Sequence, residues 1–298
     1  MCQIFFEFAN FFFSTENDRV KKKKVLLLGA QGLLGSEVFA ALENDFSVVP
    51  FARFNLDLTD LPSIAPAIAS IAPDFLVNCA GFCNTERCED PAWQEAAMQV
   101  NALAPQELAR ICHERQIKFL HFSTDFVFDG ERGKQFAESA AKNPLNFYGR
   151  SKARGEDLLQ KANSKAAIFR TAWLFGDGAP SFVGNILHLA KRQKEIAVAS
   201  DLHVNATWAR DLAFAVKDFL QDFRPGVFHA TNAGSFSLFE IAQRVVTLKN
   251  LPAKVQSALM ADFPTSVTRP PHAILHNSKL PALPPLENAL QNWLLMSK

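Results

Sequence analysis

Tyr148 is the one tyrosine in a chain of 298 residues that carries 28 phenylalanines. Lys152 stands four positions after it, in the run Asn146-Phe147-Tyr148-Gly149-Arg150-Ser151-Lys152. On a helix that spacing puts a phenol and an ammonium on one face. A free tyrosine has a pKa of about 10, and a nearby cation favours its phenolate and lowers that value. Such a pair can move a proton near neutral pH. The spacing alone fits equally well a partly buried aromatic beside a solvated lysine, so the elements that present the pair must decide.

From Val25 onward, short apolar runs alternate with longer amphipathic stretches, the pattern of strands joined by helices in a parallel sheet. Residues 25–28, 46–49, 75–77, 119–122 and 167–169 read as strands; 34–43, 61–71, 92–116 and 148–161 read as helices. The first strand runs directly into Gly29-Ala30-Gln31-Gly32-Leu33-Leu34-Gly35 and then a helix. In that context each glycine has a use: Gly29 for a tight turn, Gly32 for close approach of a pyrophosphate, Gly35 for helix packing. The free N–H groups around Leu33 and Leu34 face the anion.

The second strand leads into Phe51-Ala52-Arg53, with a guanidinium where an NAD site usually carries a carboxylate. Arg53 suits a 2′-phosphate, so NADPH is expected, with NADH as the alternative. Arg53 also fits an ordinary surface position. Asp57, followed by Leu58, offers an acceptor for an adenine amine. The third strand ends in Asn78-Cys79-Ala80-Gly81, small residues that admit a flat ligand, and Ala80, Gly81 and Phe82 are assigned to the cofactor site with it. The fourth ends in Ser123-Thr124-Asp125, at the carboxyl edge where parallel sheets bind ligands, although hydroxyls there also serve as caps.

Composition narrows the partners. Thirty-one basic against 30 acidic residues leave a net charge of +1, which provides no field for nucleic acid. Five cysteines without a CxxC pair fit reduced thiols in a cytoplasm, and three of them in one stretch (Cys79, Cys83, Cys88) lack the fourth ligand of a zinc site; no metal is expected. Residues 1–24 read as a loosely ordered extension. Their apolar stretch is too short, and too broken by Glu7 and Asn10, to span a bilayer. The expected division is 1–24 extension, 25–176 NADP-binding domain, and 177–298 a proline-rich, mainly substrate-binding region with segments returning to the first domain. Homodimer formation is left open.

Taken together, the glycine loop, Asp57-Leu58-Thr59-Asp60, Asn78-Cys79-Ala80-Gly81, Ser123-Thr124-Asp125-Phe126-Val127-Phe128, the Tyr148/Lys152 pair and Arg170-Thr171-Ala172-Trp173 resemble the extended short-chain dehydrogenase/reductases. More narrowly they resemble the dTDP-4-dehydrorhamnose reductase family, through Val227-Phe228-His229-Ala230-Thr231-Asn232 and Asn277-Ser278-Lys279-Leu280 as well. The resemblance implies a doubly wound α/β Rossmann domain holding NADPH, with a smaller C-terminal region shaping a nucleotide-sugar pocket. It implies Tyr148 as proton donor to a C4 carbonyl, and Lys152 as the group that lowers the Tyr148 pKa and holds the nicotinamide ribose. Thr124 would be a second donor to the carbonyl, with Asp125 and Trp173 against the sugar.

Dehydratases of the superfamily follow the threonine with Asp-Glu; here Phe126 takes the second place, which leaves reduction or epimerisation. A non-catalytic role, as in the regulatory subunit of methionine adenosyltransferase, is a further alternative. The chain departs from the family's pattern at Phe82, at Phe126 and in Asp201-Leu202-His203-Val204-Asn205-Ala206-Thr207, all of them expected near the pocket.

Overall fold

The computed structural model describes residues 22–131 and 133–297, so the expectation of a loose N-terminal extension falls almost wholly outside the described residues. At its end Lys24 already belongs to the first strand, one residue earlier than the apolar pattern suggests, and pairs with Ser47. Among the described residues, no helix is long and apolar enough to cross a membrane.

Six strands form one parallel sheet. Across it lie Ser47–Phe51 (β2), Lys24–Leu28 (β1), Phe75–Asn78 (β3), Lys118–Thr124 (β4), Ala167–Thr171 and Gly226–His229. The central strands are buried on both faces, which is why they read as near-continuous apolar runs instead of alternating ones. Pro50 is tolerated because β2 lies at the sheet edge. Chain direction across the sheet reverses between β1 and β3, so the crevice at the carboxyl ends of these two strands is where such a sheet binds ligands.

Helices α1 (Leu33–Leu42) and α8 (Ala209–Gln221) cover one face around Phe75, Phe169 and Val216. On the other face α2 (Leu61–Ile71) and α5 (Ala104–Glu114) pack on Leu26, Leu76 and Phe119. Each such fully buried side chain contributes roughly 1.5–3 kcal/mol. A second core lies beyond the sheet. It gathers α7 (Phe182–Ala190), α9 (Leu238–Leu248), α10 (Leu286–Met296) and the parallel pair Glu195–Ala199 with Lys254–Ala258. Gly226–His229 belongs to the large sheet, and Leu283 packs into the first core, so the chain crosses back after leaving it.

Residues 92–116 do not form the single helix their pattern suggests. After α3 (Thr85–Glu89) and α4 (Pro91–Met98), a π-helical turn spans Gln99–Leu103 before α5 begins. The extra residue in that turn is accommodated at Asn101, a buried amide whose side-chain bonds hold the loop after β3.

Candidate active site

The turn after β1 is closed by contact with β3. Gly29 has φ +73°, and a Cβ there would come within 2.6 Å of the Ala80 nitrogen, so no larger residue fits. A Cβ on Gly35 would collide with the Gly29 carbonyl, which locks α1 tightly to the turn. Gly32 is the N-cap of α1 and provides no side-chain cap, and no acid occupies the first turn. The N–H groups at Leu33 and Leu34 therefore stand at a bare helix N-terminus, the environment that favours a phosphate. The Leu34 side chain itself is buried in the core.

In front of this turn lies a groove of about 440 Å³. Gly29 and Gly32 form one wall, Arg53, Asp57 and Leu58 another, and Ala80, Gly81 and Phe82 a third. A glycine cradle at one end and an open helix terminus beside it fit a dinucleotide. Arg53 is on the rim, its side chain 82% exposed, 3.1 Å from Asp57. Asp57 also accepts from the Thr59 backbone and hydroxyl, at 2.9 and 2.8 Å, and these bonds together with Arg53 hold its carboxyl below the usual range. Phe82 is pinned from behind: Asn101 accepts from its N–H at 2.9 Å and donates to its carbonyl at 3.0 Å.

The chemical groups gather at the end of β4. Helix α6 (Phe147–Ala162) starts on the Asn146 side chain, which accepts from the Gly149 N–H at 2.8 Å. Gly149 lets this first turn press against the Phe126 carbonyl, where a Cβ would not fit. Tyr148 is thereby fixed edge-on to Phe126, with ring centroids 5.6 Å apart. Thr124 and Cys83 are the side chains that act most strongly on its hydroxyl. Thr124 donates to Asp125 Oδ1 at 2.9 Å and caps the turn after β4 by accepting from the Phe126 N–H. The other Asp125 oxygen is buried without a partner, and burial raises this carboxyl to about 7.

The expected effect of Lys152 on Tyr148 is not what this geometry produces. Burial, with Cys83 next in weight, raises the phenol well above 10 against the lowering effect of the Thr124 bond. The Lys152 amine is directed elsewhere, to the Phe122 carbonyl at 2.6 Å and His121 Nε2 at 3.4 Å. The spacing puts both residues on one helix face, but the lysine reaches past the phenol to β4. Tyr148 is consequently a fully protonated phenol, the form that can give a proton.

Trp173 holds a second cavity, of about 350 Å³, with Phe182, Met260 and Arg269 among its walls. Its backbone is left-handed, φ 43°, an unusual state for a bulky residue. Arg269 pairs with Glu86 at 3.0 Å. Burial alone would raise Glu86, but hydrogen bonds from Thr265, Ser266 and Arg269 outweigh it and hold the carboxyl at about 2. The small cluster around Tyr148 and Phe126 touches Phe82 on one side and Trp173 on the other. Phe82 lines the groove and Trp173 lines the second cavity, so the cluster that holds Tyr148 packs against one wall residue of each.

Leu202, expected beside the pocket, is instead buried in the second core, just before a short strand, with its carbonyl accepting from the Leu238 N–H at 3.0 Å. Its neighbour Asp201 supports the cavity wall by accepting from the Met260 N–H at 2.8 Å. Cys83, Asn101, His121, Glu86 and Arg269 were not assigned from sequence. Only His121, a lone polar residue inside an apolar strand, interrupts its pattern visibly. Among the described residues no group of three or more His, Cys, Asp or Glu side chains could hold a metal ion.

Comparison with known proteins gives a consistent result. The family model described as the RmlD substrate binding domain matches residues 23–294. A dTDP-4-keto-6-deoxy-D-glucose reductase from Streptomyces niveus is 34% identical over 253 residues, 84% of this chain and 87% of that protein. A dTDP-4-dehydrorhamnose reductase from Streptomyces griseus is 32% identical over 263 residues, 85% and 86% of the two. The crystal structure of dTDP-4-dehydrorhamnose reductase from Bacillus anthracis, in complex with NADP, superposes with a TM-score of 0.89 at 26% identity, covering 93% of this chain and all of that one.

Proposed function

The chain belongs to the family of the RmlD substrate binding domain, and from that premise we propose that it reduces the C4 ketone of a nucleotide-linked 4-keto-6-deoxy sugar with NADPH. The observation that carries this reading is the placement of Tyr148 in a cluster with Phe126 that packs against Phe82 of the glycine-walled groove and against Trp173 of the second cavity.

In this reading Gly29, Gly32 and the first turn of α1 hold the pyrophosphate, and Arg53 reaches the 2′-phosphate from the groove rim. NADPH, when bound, supplies the hydride to the carbonyl carbon. Tyr148 gives its proton to the carbonyl oxygen, completing the hydroxyl, and Thr124, on turning its one O–H away from Asp125 Oδ1, donates a hydrogen bond to the same oxygen as charge builds on it. Trp173 offers its ring to the sugar from the wall of the second cavity, and Asp125, buried beside Thr124 with one unpartnered oxygen, would meet the sugar only after that oxygen is uncovered. Lys152, on the same face of α6 as Tyr148, would steady the phenolate left behind, and it reaches the nicotinamide ribose only after leaving the Phe122 carbonyl. Glu86 and Arg269 form a polar edge of the cavity, where the nucleotide end of the substrate would lie.

The test is NADPH consumption by the purified protein with dTDP-4-keto-6-deoxy sugars. Substrate-dependent oxidation supports the reading; failure with every 4-keto nucleotide sugar refutes it.

A further inference from the structure

Behind the candidate site runs a buried chain of hydrogen bonds that fixes where protons sit. The Ala80 N–H, on the groove wall, donates to Asn78 Oδ1 at 3.0 Å. That contact decides which end of the amide is which, so the Asn78 NH₂ faces His121 Nδ1, at 3.1 Å. Both side chains are buried. An amide NH₂ can only donate, so Nδ1 carries the lone pair. Burial, the largest influence, keeps this imidazole neutral by lowering its pKa well below the ordinary value. The single ring proton is therefore on Nε2, and Nε2 faces Lys152 Nζ at 3.4 Å.

An ammonium has three donors and no acceptor, and so would meet the Nε2–H donor to donor. A neutral amine resolves the conflict: its lone pair accepts from His121 while one of its own hydrogens goes to the Phe122 carbonyl at 2.6 Å. We propose that in the cofactor-free protein Asn78 and His121 hold Lys152 as a neutral amine, and that NADPH binding draws Lys152 away and recharges it with one proton from solvent. The second half rests on the cofactor reading above; the first half does not. Other groups facing the amine pull toward charge: Cys83 from the loop after β3, and Glu156 one turn along α6, itself engaged by Arg170 at 2.7 Å and Lys142 at 3.2 Å. Burial opposes them and is the largest influence, lowering the lysine below its ordinary value. His121 is thus a positioning residue, acting on the cofactor and the substrate only through Lys152.

The experiment uses the full chain. Imidazole nitrogen NMR of the free protein is expected to find His121 protonated at Nε2 alone at neutral pH. In Asn78→Asp, whose carboxylate accepts where the amide donated, the proton is expected to move to Nδ1. Calorimetric titration with NADPH in buffers of different ionisation enthalpy should find uptake approaching about one proton per site as pH is raised above the lowered lysine value, by linkage. Asn78→Asp, and independently His121→Phe, which keeps ring volume but removes the Nε2–H, should lose that uptake. An Nδ1-protonated or cationic His121 in the native protein overturns the proposal. So does NADPH binding without proton uptake, or uptake that persists in both variants. Absence of any NADPH binding would refute the cofactor reading instead, and the tautomer would still decide the state of the relay.

Discussion

The groove in front of β1 and the cavity beside Trp173 are built in opposite ways. The groove's key wall is Gly29, Gln31 and Gly32, all from the one turn of Gly29 to Gly35, which is shaped by its own backbone and backed by the neighbouring strand. The cavity's polar edge joins Glu86 to Arg269, which are 183 positions apart, and depends on the second core to bring them together. A local device can be recognised by its spacing, and its failure should be confined to what it binds. A device assembled over long range is specified by the fold, and it can change its ligand without disturbing the groove.

Tyr148, whose cluster packs against Phe82 of the groove and Trp173 of the cavity, gives the largest expected effect. Tyr148→Phe removes the proton and leaves both cavities standing, so turnover should fall by roughly 10²- to 10⁴-fold while the NADPH dissociation constant stays near native. Loss of cofactor binding in that variant would mean the two regions are not separable. Gly29→Ala attacks the groove alone. The left-handed backbone costs about 1–2 kcal/mol for a residue with a Cβ, and the added carbon meets the Ala80 nitrogen at 2.6 Å. NADPH affinity measured by fluorescence should drop at least about ten-fold, since 1.4 kcal/mol is a factor of ten.

Arg269→Ala attacks the cavity alone. A charged hydrogen-bond donor is worth roughly 1.5–3 kcal/mol, so KM for the nucleotide sugar should rise about ten-fold or more with NADPH binding unchanged. Steady-state kinetics with each substrate varied separates the outcomes; an effect on the NADPH side would break the comparison.

A smaller effect concerns pH. Asp125 is raised from 3.8 to about 7 by burial. The folded protein therefore holds this proton more tightly than the unfolded chain, and stability contributed by the neutral form is lost as pH rises across that interval. Asp125→Asn should flatten the decline of Tm over the same interval, and should remove any inflection near 7 in the pH profile of sugar KM. The smallest effect belongs to Arg53, exposed and paired on the surface with Asp57. Arg53→Ala should lower the preference for NADPH over NADH by only about three-fold, as expected of a screened surface charge.

This contrast also explains what could be read from the chain. The parallel sheet was legible because buried strands such as Phe75–Asn78 are continuous apolar runs between amphipathic helices. The glycine turn and the Thr124/Tyr148 order were legible because each lies in a short run. The break in the helix at Gln99–Leu103 was not, since it depends on Asn101 finding the Phe82 backbone across the fold. Nor was the direction of Lys152: helical spacing sets the face, whereas the buried Phe122 carbonyl and His121 set where the amine ends. Leu202 illustrates the same limit, a departure from the family's pattern that turns out to be core.

The most direct test of the central claim is transfer of label from NADPH carrying deuterium at its transferable position to a dTDP-4-keto-6-deoxy sugar, followed by NMR of the product. The account predicts deuterium on C4 of the sugar with the native protein, and no labelled product on the same timescale with Tyr148→Phe. Label at any other carbon, or undiminished labelling by Tyr148→Phe, would contradict it.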